Sequence, residues 1–490
     1  MNRLRSFICR TGLVIASVFF INGTLSASLH PKREFRGAWM NTIYQPQYKA
    51  NSTEANKKYL CRQLDSLSLA GVNAVIFQVR PQADAFYESR LEPWSRFLTD
   101  GGKAPSPYWD PLEFMVGECH ARGMELHAWL NPYRVTSAAG QQLPPGHIYH
   151  KHPERFVRYG GKLYFDPGIP ENRDFIVAIV KDIVSRYDVD GIHFDDYFYP
   201  YPIKGVDFPD KKSYARYGKK MKRDDWRRHN VDLLVRDVHN AIDATKPWVR
   251  FGISPFGIWR NRKSDPRGSE TSGLENFDAL YADVLLWASE GWVDYIAPQL
   301  YWELDHKAAS YRTLIDWWNR NADGCQLYIG QDVERSVKAG ELDSKMSLLR
   351  ASGNVEGLCW WPAYSITRNV GGVADSLACI HHAVKALPPS FPYKCGHDPE
   401  APSGMRIEGG SQISWDKPAA SGASTDVNRH VIYRFDTSAE VDISRPEAIV
   451  AVTYSGNWNV EAPGCYVVTA LDRANNESGP SEIVNVWKRR

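Results

Sequence analysis

DGIHFDDYFYPYP, residues 190–202, runs from an alternating apolar stretch straight into two adjacent acids and then into aromatics and prolines. Read as a β-strand, its alternation puts His193 and Asp195 on one face and Ile192 and Phe194 on the other. The apolar face suits a layer packed under helices, which aims His193 and Asp195 into whatever the sheet encloses. Asp196 then stands at the strand end, where the chain turns. Buried acids without partners cost stability, so either the surroundings neutralise this pair or function retains it.

Outward from that strand the same unit repeats: a short apolar strand ending in polar or aromatic residues, then a segment of helical period. FRGAWMNT (35–42) precedes NKKYLCRQLDSLSLAG (56–71), whose Leu60, Leu64, Leu67 and Ala70 share one face. NAVIFQVRP (73–81), ELHAWLNPY (125–133), RFGISPFG (250–257), DYIAPQLYW (294–302), CQLYIGQDV (325–333) and GLCWWPAYS (357–365) bring the strands to eight. Eight such units predict an α/β fold over residues 30–386, a parallel sheet closed into a (β/α)8 TIM barrel; an open doubly wound sheet usually has fewer strands.

Residues 387–400, LPPSFPYKCGHDPE, have linker composition. Residues 401–490 carry short alternating runs separated by turn signals, which predicts a small all-β immunoglobulin-like sandwich. It resembles a fibronectin type III module through ISW (413–415), VIYR (431–434) and CYVVTALDRANNESGPS (465–481). No catalytic residue is assigned to it.

At the other end, residues 1–27 combine Arg3, Arg5 and Arg10 with an apolar core from Leu13 to Ile21 and small residues near Ser26 to Ser28. That is a signal-peptide pattern, and it predicts an exported protein, periplasmic or extracellular. The apolar core falls short of the ~20 residues that span a bilayer, so no transmembrane anchor is expected once the signal is removed. Lys and Arg total 59 against 57 Asp and Glu, too even a balance to draw in nucleic acid. Without Cys9, seven cysteines are left, at 61, 119, 325, 359, 379, 395 and 465, with no CxxC spacing. No His or Cys pair has ligand spacing either, and His120, His127 and His193 read as ordinary helix or strand residues. No metal and no cofactor are expected. Oligomeric state is not legible.

In a barrel of this kind the site lies where the strands end, because the loops there converge on one mouth. Strand ends supply Gln78 and Arg80, Asn131 and Tyr133, Asp195 and Asp196, Gln299 and Tyr301, with Arg134 just beyond. Trp39, Trp302, Glu303, Asp332 and Trp361 fall at the same end. Sugars offer C–H faces to aromatic rings and hydroxyls to amides and acids. Seventeen Trp and 25 Tyr, Trp94 and Tyr197 among them, therefore suit a glycan site, although a buried core accounts for about half of such aromatics.

Glycosidic cleavage needs an acid for the leaving oxygen and a second group to stabilise the cationic centre. Adjacent residues, with Cα atoms about 3.8 Å apart, are poorly placed to flank a sugar ring from opposite faces. They can act together on one side. One arrangement that fits is substrate assistance, in which the sugar's 2-acetamido oxygen attacks while one acid orients the amide and the other protonates the leaving group. The other is a single catalytic acid from the pair with a partner such as Glu303 or Asp332. Mutual repulsion would raise one pKa of the pair, and Arg80 and Arg134 are candidates to hold the other acid ionised. An Asp–Arg network that only organises the mouth is the structural alternative.

EFRGAWMNT (34–42), GVNAVIFQVRPQADAFY (71–87), WDPLEFMVGECHARGMELHAWLNPYR (109–134), DGIHFDDYFYP (190–200), GISPFGIWRN (252–261) and DYIAPQLYW (294–302) together resemble the glycosyl-hydrolase-like 10 family of exported (β/α)8 proteins. The resemblance implies hydrolysis of glycans, foremost peptidoglycan strands that have lost their stem peptides. It also implies that Asp195 and Asp196 carry the chemistry, and that Gln78, Arg80, Asn131, Gln299 and Tyr301 bind substrate. A glycosidase for dietary or host polysaccharide, or an inactive glycan-binding barrel, are the competing readings. Within the pair, Asp196 is expected to donate the proton and Asp195 to orient the substrate.

Overall fold

The computed structural model describes residues 30–218, 220–394, 398–418 and 426–487; the expected signal peptide and Cys395 lie outside them. Eight parallel strands close a barrel: β1 (Phe35–Met40), β2 (Ala74–Arg80), β3 (Glu125–Leu130), β6 (Gly191–Phe194), β7 (Arg250–Ile253), β8 (Tyr295–Ile296), β9 (Gln326–Asp332) and β10 (Val355–Trp361). The ring closes where Phe35 to Ala38 pair with Gly357 to Trp360. Each overlaps a stretch read as a strand, and β10 alone starts outside its stretch, two residues before Gly357. The unanticipated pieces are β4 (Phe156–Tyr159) and β5 (Lys162–Phe165), a hairpin in the long connection after β3.

Strand alternation sorts the side chains into two layers. Val75, Phe77, Val79, Ile192 and Phe194 pack outward into the large core shared with the helices, including Leu60, Leu64 and Leu67 of helix Thr53–Leu69. Phe35, Trp39, Ile76, Trp129, Tyr295 and Tyr328 fill the barrel itself, with Phe35 stacked on Tyr328 at 4.1 Å. So many rings fit because glycine faces them. A Cβ at Gly252 would lie 1.9 Å from the Tyr295 ring, and one at Gly191 2.7 Å from the His127 imidazole.

Strand β8 is the shortest, because Pro298 cannot donate to a ladder. Beyond it Gln299 still bridges Phe256 and Gly330, which keeps its side chain at the mouth.

The C-terminal part is two antiparallel sheets. One holds β11 (Ser403–Glu408), β12 (Gln412–Asp416) and β15 (Asn457–Asn459); the other holds β14 (Ile449–Thr453), β13 (Val427–Phe435), β16 (Gly464–Asp472) and β17 (Val484–Val486). Ile413 and Trp415 from the first meet Ile432, Tyr466 and Val468 from the second in one core. This unit sits against the N-terminal ends of the barrel strands. There Arg429 of β13 reaches Glu125, the first residue of β3, at 3.2 Å. Asn475 bonds the same carboxylate at 3.0 Å, and the His120 ring stacks on Tyr454 at 4.2 Å. The stretch with linker composition is packed rather than free over its first half: Leu387 and Phe391 are fully buried, and Leu387 exchanges backbone bonds with Lys32 and Glu34.

Candidate active site

The C-terminal ends of the strands enclose a cavity of about 300 Å³. Asp195 and Asp196 form part of its wall, with Trp39, Trp129, Tyr301 and Trp361 around them. Trp129 and Trp361 meet edge to face at 6.1 Å. Flat rings beside two acids give a sugar both apolar faces and polar partners.

The two acids are held by different kinds of group. Asp195 accepts from Trp129 Nε1 at 3.0 Å, from Asn131 Nδ2 at 3.1 and 3.2 Å, and from the Tyr197 backbone N–H at 3.2 Å. Every one of these can only donate, and both carboxylate oxygens are engaged. The donor set therefore favours the ionised form of Asp195. Asp196 accepts from Gln299 Nε2 at 3.1 Å through Oδ1, while Oδ2 meets the Tyr201 hydroxyl. A hydroxyl can donate or accept, so Oδ2 of Asp196 can carry a proton and remain satisfied.

Burial raises both groups. It pushes Asp195 up to about 6, with Arg134 opposing and Asp196 adding to the rise. Burial likewise lifts Asp196 above the usual carboxylate range, against the bonds from Tyr201 and Gln299. Two close, buried acids titrate as a pair, and the pair retains a proton further toward neutrality than a free aspartate. Of the two, Asp196 is the one whose partners tolerate it. Such a site can hand a proton to a leaving oxygen while keeping one carboxylate fixed and charged.

Beneath the acids a hydrogen-bond chain runs down the barrel axis. Trp39 Nε1 donates to His193 Nε2 at 3.1 Å; His193 Nδ1 lies 3.0 Å from the Tyr295 hydroxyl, which lies 2.8 Å from His127 Nδ1; His127 Nε2 is 3.3 Å from Glu125. Its ends fix its direction, since an indole N–H only donates and a carboxylate only accepts. His193 is therefore the Nδ1–H tautomer and His127 the Nε2–H tautomer. Burial keeps both imidazoles below their ordinary pKa, so both are neutral.

Of the residues expected at the site, Trp39, Gln78, Arg134, Asp195, Asp196, Gln299, Tyr301 and Trp361 line the one cavity. Gln78 also accepts from the backbone N–H groups of Thr42 and Ile43 at 3.0 and 3.1 Å, which shapes the loop after β1. Asn131 stands one layer back: its Nδ2 holds Asp195 and its Oδ1 accepts from the Arg134 N–H at 2.9 Å. Arg134 is anchored by the Pro81 carbonyl at 3.0 and 2.8 Å, and its guanidinium lies 5.0 Å from the Tyr197 ring centre.

Besides Asn131, five residues expected at the site lie outside the cavity wall. Arg80 neither lines the cavity nor pairs with either aspartate; fully buried, it pairs with Glu92 at 2.7 and 2.6 Å and bonds the carbonyls of Asn131 and Pro132. Tyr133 is buried in the outer core. Trp302 packs on Phe256 at 5.4 Å, outside the cavity wall. Asp332 caps helix Val333–Lys338 by accepting from the Arg335 N–H at 2.9 Å. Glu303, like Asp332, does not line the cavity, so neither stands opposite the aspartates as a second catalytic carboxyl.

Trp129, Tyr201 and Ser254 also line the cavity, and the sequence reading passed over them. Trp129 was within reach, since it alternates with His127 and Asn131 along one strand. Tyr201 was not, because its position depends on how the proline-rich loop folds back. Among the described residues, no group of three or more His, Cys, Asp and Glu side chains is placed to hold a metal ion.

The sequence pattern of the glycosyl hydrolase-like 10 family matches residues 34–346, a span that holds every cavity residue except Trp361. The chain is 36% identical over 511 residues to glycosyl hydrolase YngK of Bacillus subtilis (strain 168), covering 97% of this chain and 99% of that protein. It is 40% identical over 320 residues to glycosyl hydrolase DigH of Escherichia coli (strain K12), covering 60% of this chain and 72% of that one. Among solved structures, the glycoside hydrolase domain of PgaB from Bordetella bronchiseptica superposes with a TM-score of 0.46 at 13% identity, over 73% of this chain and 100% of that domain.

Proposed function

The chain belongs to the glycosyl hydrolase-like 10 family and is a glycoside hydrolase; from that premise we propose that it cleaves N-acetylated glycans, foremost peptidoglycan strands stripped of their stem peptides. One observation carries the reading. Two adjacent carboxyls share one side of the cavity, one held only by donors and the other able to keep a proton. In substrate assistance these are the two roles required. Asp196 gives its proton to the glycosidic oxygen as that bond breaks. Asp195, ionised, accepts from the 2-acetamido N–H and turns its carbonyl oxygen onto the anomeric carbon. Water then opens the cyclic intermediate and Asp196 recovers a proton. No opposing carboxyl is needed, in keeping with the placement of Glu303 and Asp332.

The apolar core at Leu13 to Ile21 behind three arginines supports export, which would bring the enzyme to such a substrate. Among the described residues no helix is long and apolar enough to cross a membrane.

The test is to incubate the mature protein with peptide-free glycan strands and identify new reducing ends by mass spectrometry. N-acetylmuramic acid at the new end would mean muramidase action, and N-acetylglucosamine glucosaminidase action. Intact strands, alongside cleavage of a polysaccharide without acetamido groups, would overturn both the substrate and the assisted mechanism.

A further inference from the structure

A second cavity, of about 480 Å³, opens between the loop after β2 and the loop after β3. It is not isolated from the catalytic one. Tyr44 lines the catalytic cavity and also a neighbouring depression, and Arg96 lines both that depression and the second cavity. The three concavities thus follow one another along the mouth and share walls. Arg80 braces this end of the molecule, since it clamps Glu92 in the first loop and two carbonyls at the start of the second.

The second cavity contains a built polar floor. Gln82 Nε2 donates to Asp84 Oδ2 at 3.1 Å, and the Arg96 backbone N–H donates to the same oxygen at 3.1 Å. Asp84 also takes a side-chain hydrogen bond from the buried Ser95, which leaves Gln82 Oε1 buried and without a hydrogen-bond partner. Gln82 is 2% exposed, so water does not freely satisfy this oxygen. An orphan acceptor in a native fold calls for a ligand that brings a donor. Above them the cavity has the half-buried Trp94 indole, which meets Tyr108 edge to face at 6.3 Å, and the exposed Arg96 side chain. Burial pushes the Asp84 carboxyl up to about 6, which disfavours an anionic occupant less than a fixed charge would, yet offers an anion nothing.

We propose that this cavity is a distal sugar subsite: it takes a neutral N-acetylated sugar unit of the same chain that is cleaved at Asp195 and Asp196. A hydroxyl or an acetamido N–H supplies the donor for Gln82 Oε1. The C–H face of the ring lies on Trp94, and Arg96 donates to a ring or hydroxyl oxygen. The inference rests on the glycan reading above and adds to it that the enzyme grips several sugars at once and so favours long chains.

The test measures binding without turnover, by calorimetric titration of an Asp196→Asn background with a disaccharide and a hexasaccharide cut from peptide-free strands. The hexasaccharide is expected to bind about tenfold more tightly than the disaccharide. Adding Trp94→Ala removes that gain and leaves disaccharide binding unchanged; Gln82→Ala, at a different wall, does the same. Equal affinity for the two lengths, or a gain that survives both substitutions, overturns the subsite alone. Failure of both lengths to bind overturns the glycan reading itself, and the subsite with it.

Discussion

At the C-terminal end of the barrel, Asp195 and Asp196 are buried without an ion pair among the described residues, and burial raises both above the usual range against the nearby Arg134. At the N-terminal end Glu125 is buried just as completely. Burial alone would raise it too, but Arg250 at 2.9 Å, the His127 hydrogen bond and Arg429 of the sandwich hold it well below the carboxylate range. The same residue chemistry at the same depth is thus set to opposite ends of its titration. What differs is the company, and it follows the division of labour in this fold: strain is kept where the reaction is proposed, and full pairing where the halves of the molecule join. The histidine and tyrosine chain inside the barrel connects the two.

The sharpest break in the comparison should come from Asp196→Asn. Its amide can accept from Gln299 and donate to Tyr201, so the fold has no reason to suffer. Turnover of peptide-free strands should fall roughly 10²- to 10⁴-fold, the usual worth of a general acid. The melting temperature should rise at neutral pH. The sign follows from the raised pKa: the folded state binds this proton more tightly than the unfolded chain, so ionisation costs stability as pH climbs past the ordinary aspartate value. The gain should therefore vanish in acid. A variant that melts lower at neutral pH would show that the mouth is not strained.

Glu125→Gln should do the reverse. It strands Arg250 and Arg429 beside a neutral amide, and denaturant unfolding should show a loss of about 3–5 kcal/mol. Because the folded pKa of Glu125 is depressed, its stabilisation is complete above the unfolded carboxylate value and is lost as pH falls below it. The difference between wild type and variant should shrink accordingly in acid. Arg429→Met keeps Arg250 on the carboxylate and should cost less, about 1.5–3 kcal/mol, the worth of a hydrogen bond to a charged group. If it costs nothing, the sandwich is not part of the barrel floor.

The smallest expected effect is a shift rather than a loss. In the proposed mechanism Asp195 orients the amide only when ionised, so kcat/KM should decline as pH drops through about 6. Trp129→Phe removes one donor that favours the ionised form and should move that limb upward by about one pH unit. A limb that stays put would mean that Asp195 is not the group it reports.

Much of this was legible in the residues. Strand alternation placed His193 and Asp195 inside the barrel and Ile192 and Phe194 outside, as the structure has them. The strand-end rule also brought Trp39, Gln78, Gln299, Tyr301 and Trp361 to one cavity. Arg80 shows where that rule stops. A strand-end position says that a side chain is near the mouth, but its partner, Glu92, comes from a loop whose path has no period to read.

The sequence by itself determined the eight-strand barrel and the adjacent acids at its fourth strand end, because periodicity and chain order are local properties that one strand carries in full. Only the tertiary structure decided which acid can hold a proton, since Trp129, Asn131, Tyr201 and Gln299 reach the pair from β3, from the loop after β6 and from the end of β8. It also decided that the sandwich closes the barrel floor through Arg429, 304 residues from the carboxylate it meets. Hydrogen bonding and charge pairing depend on distance in space, and the chain fixes that distance only once it has folded.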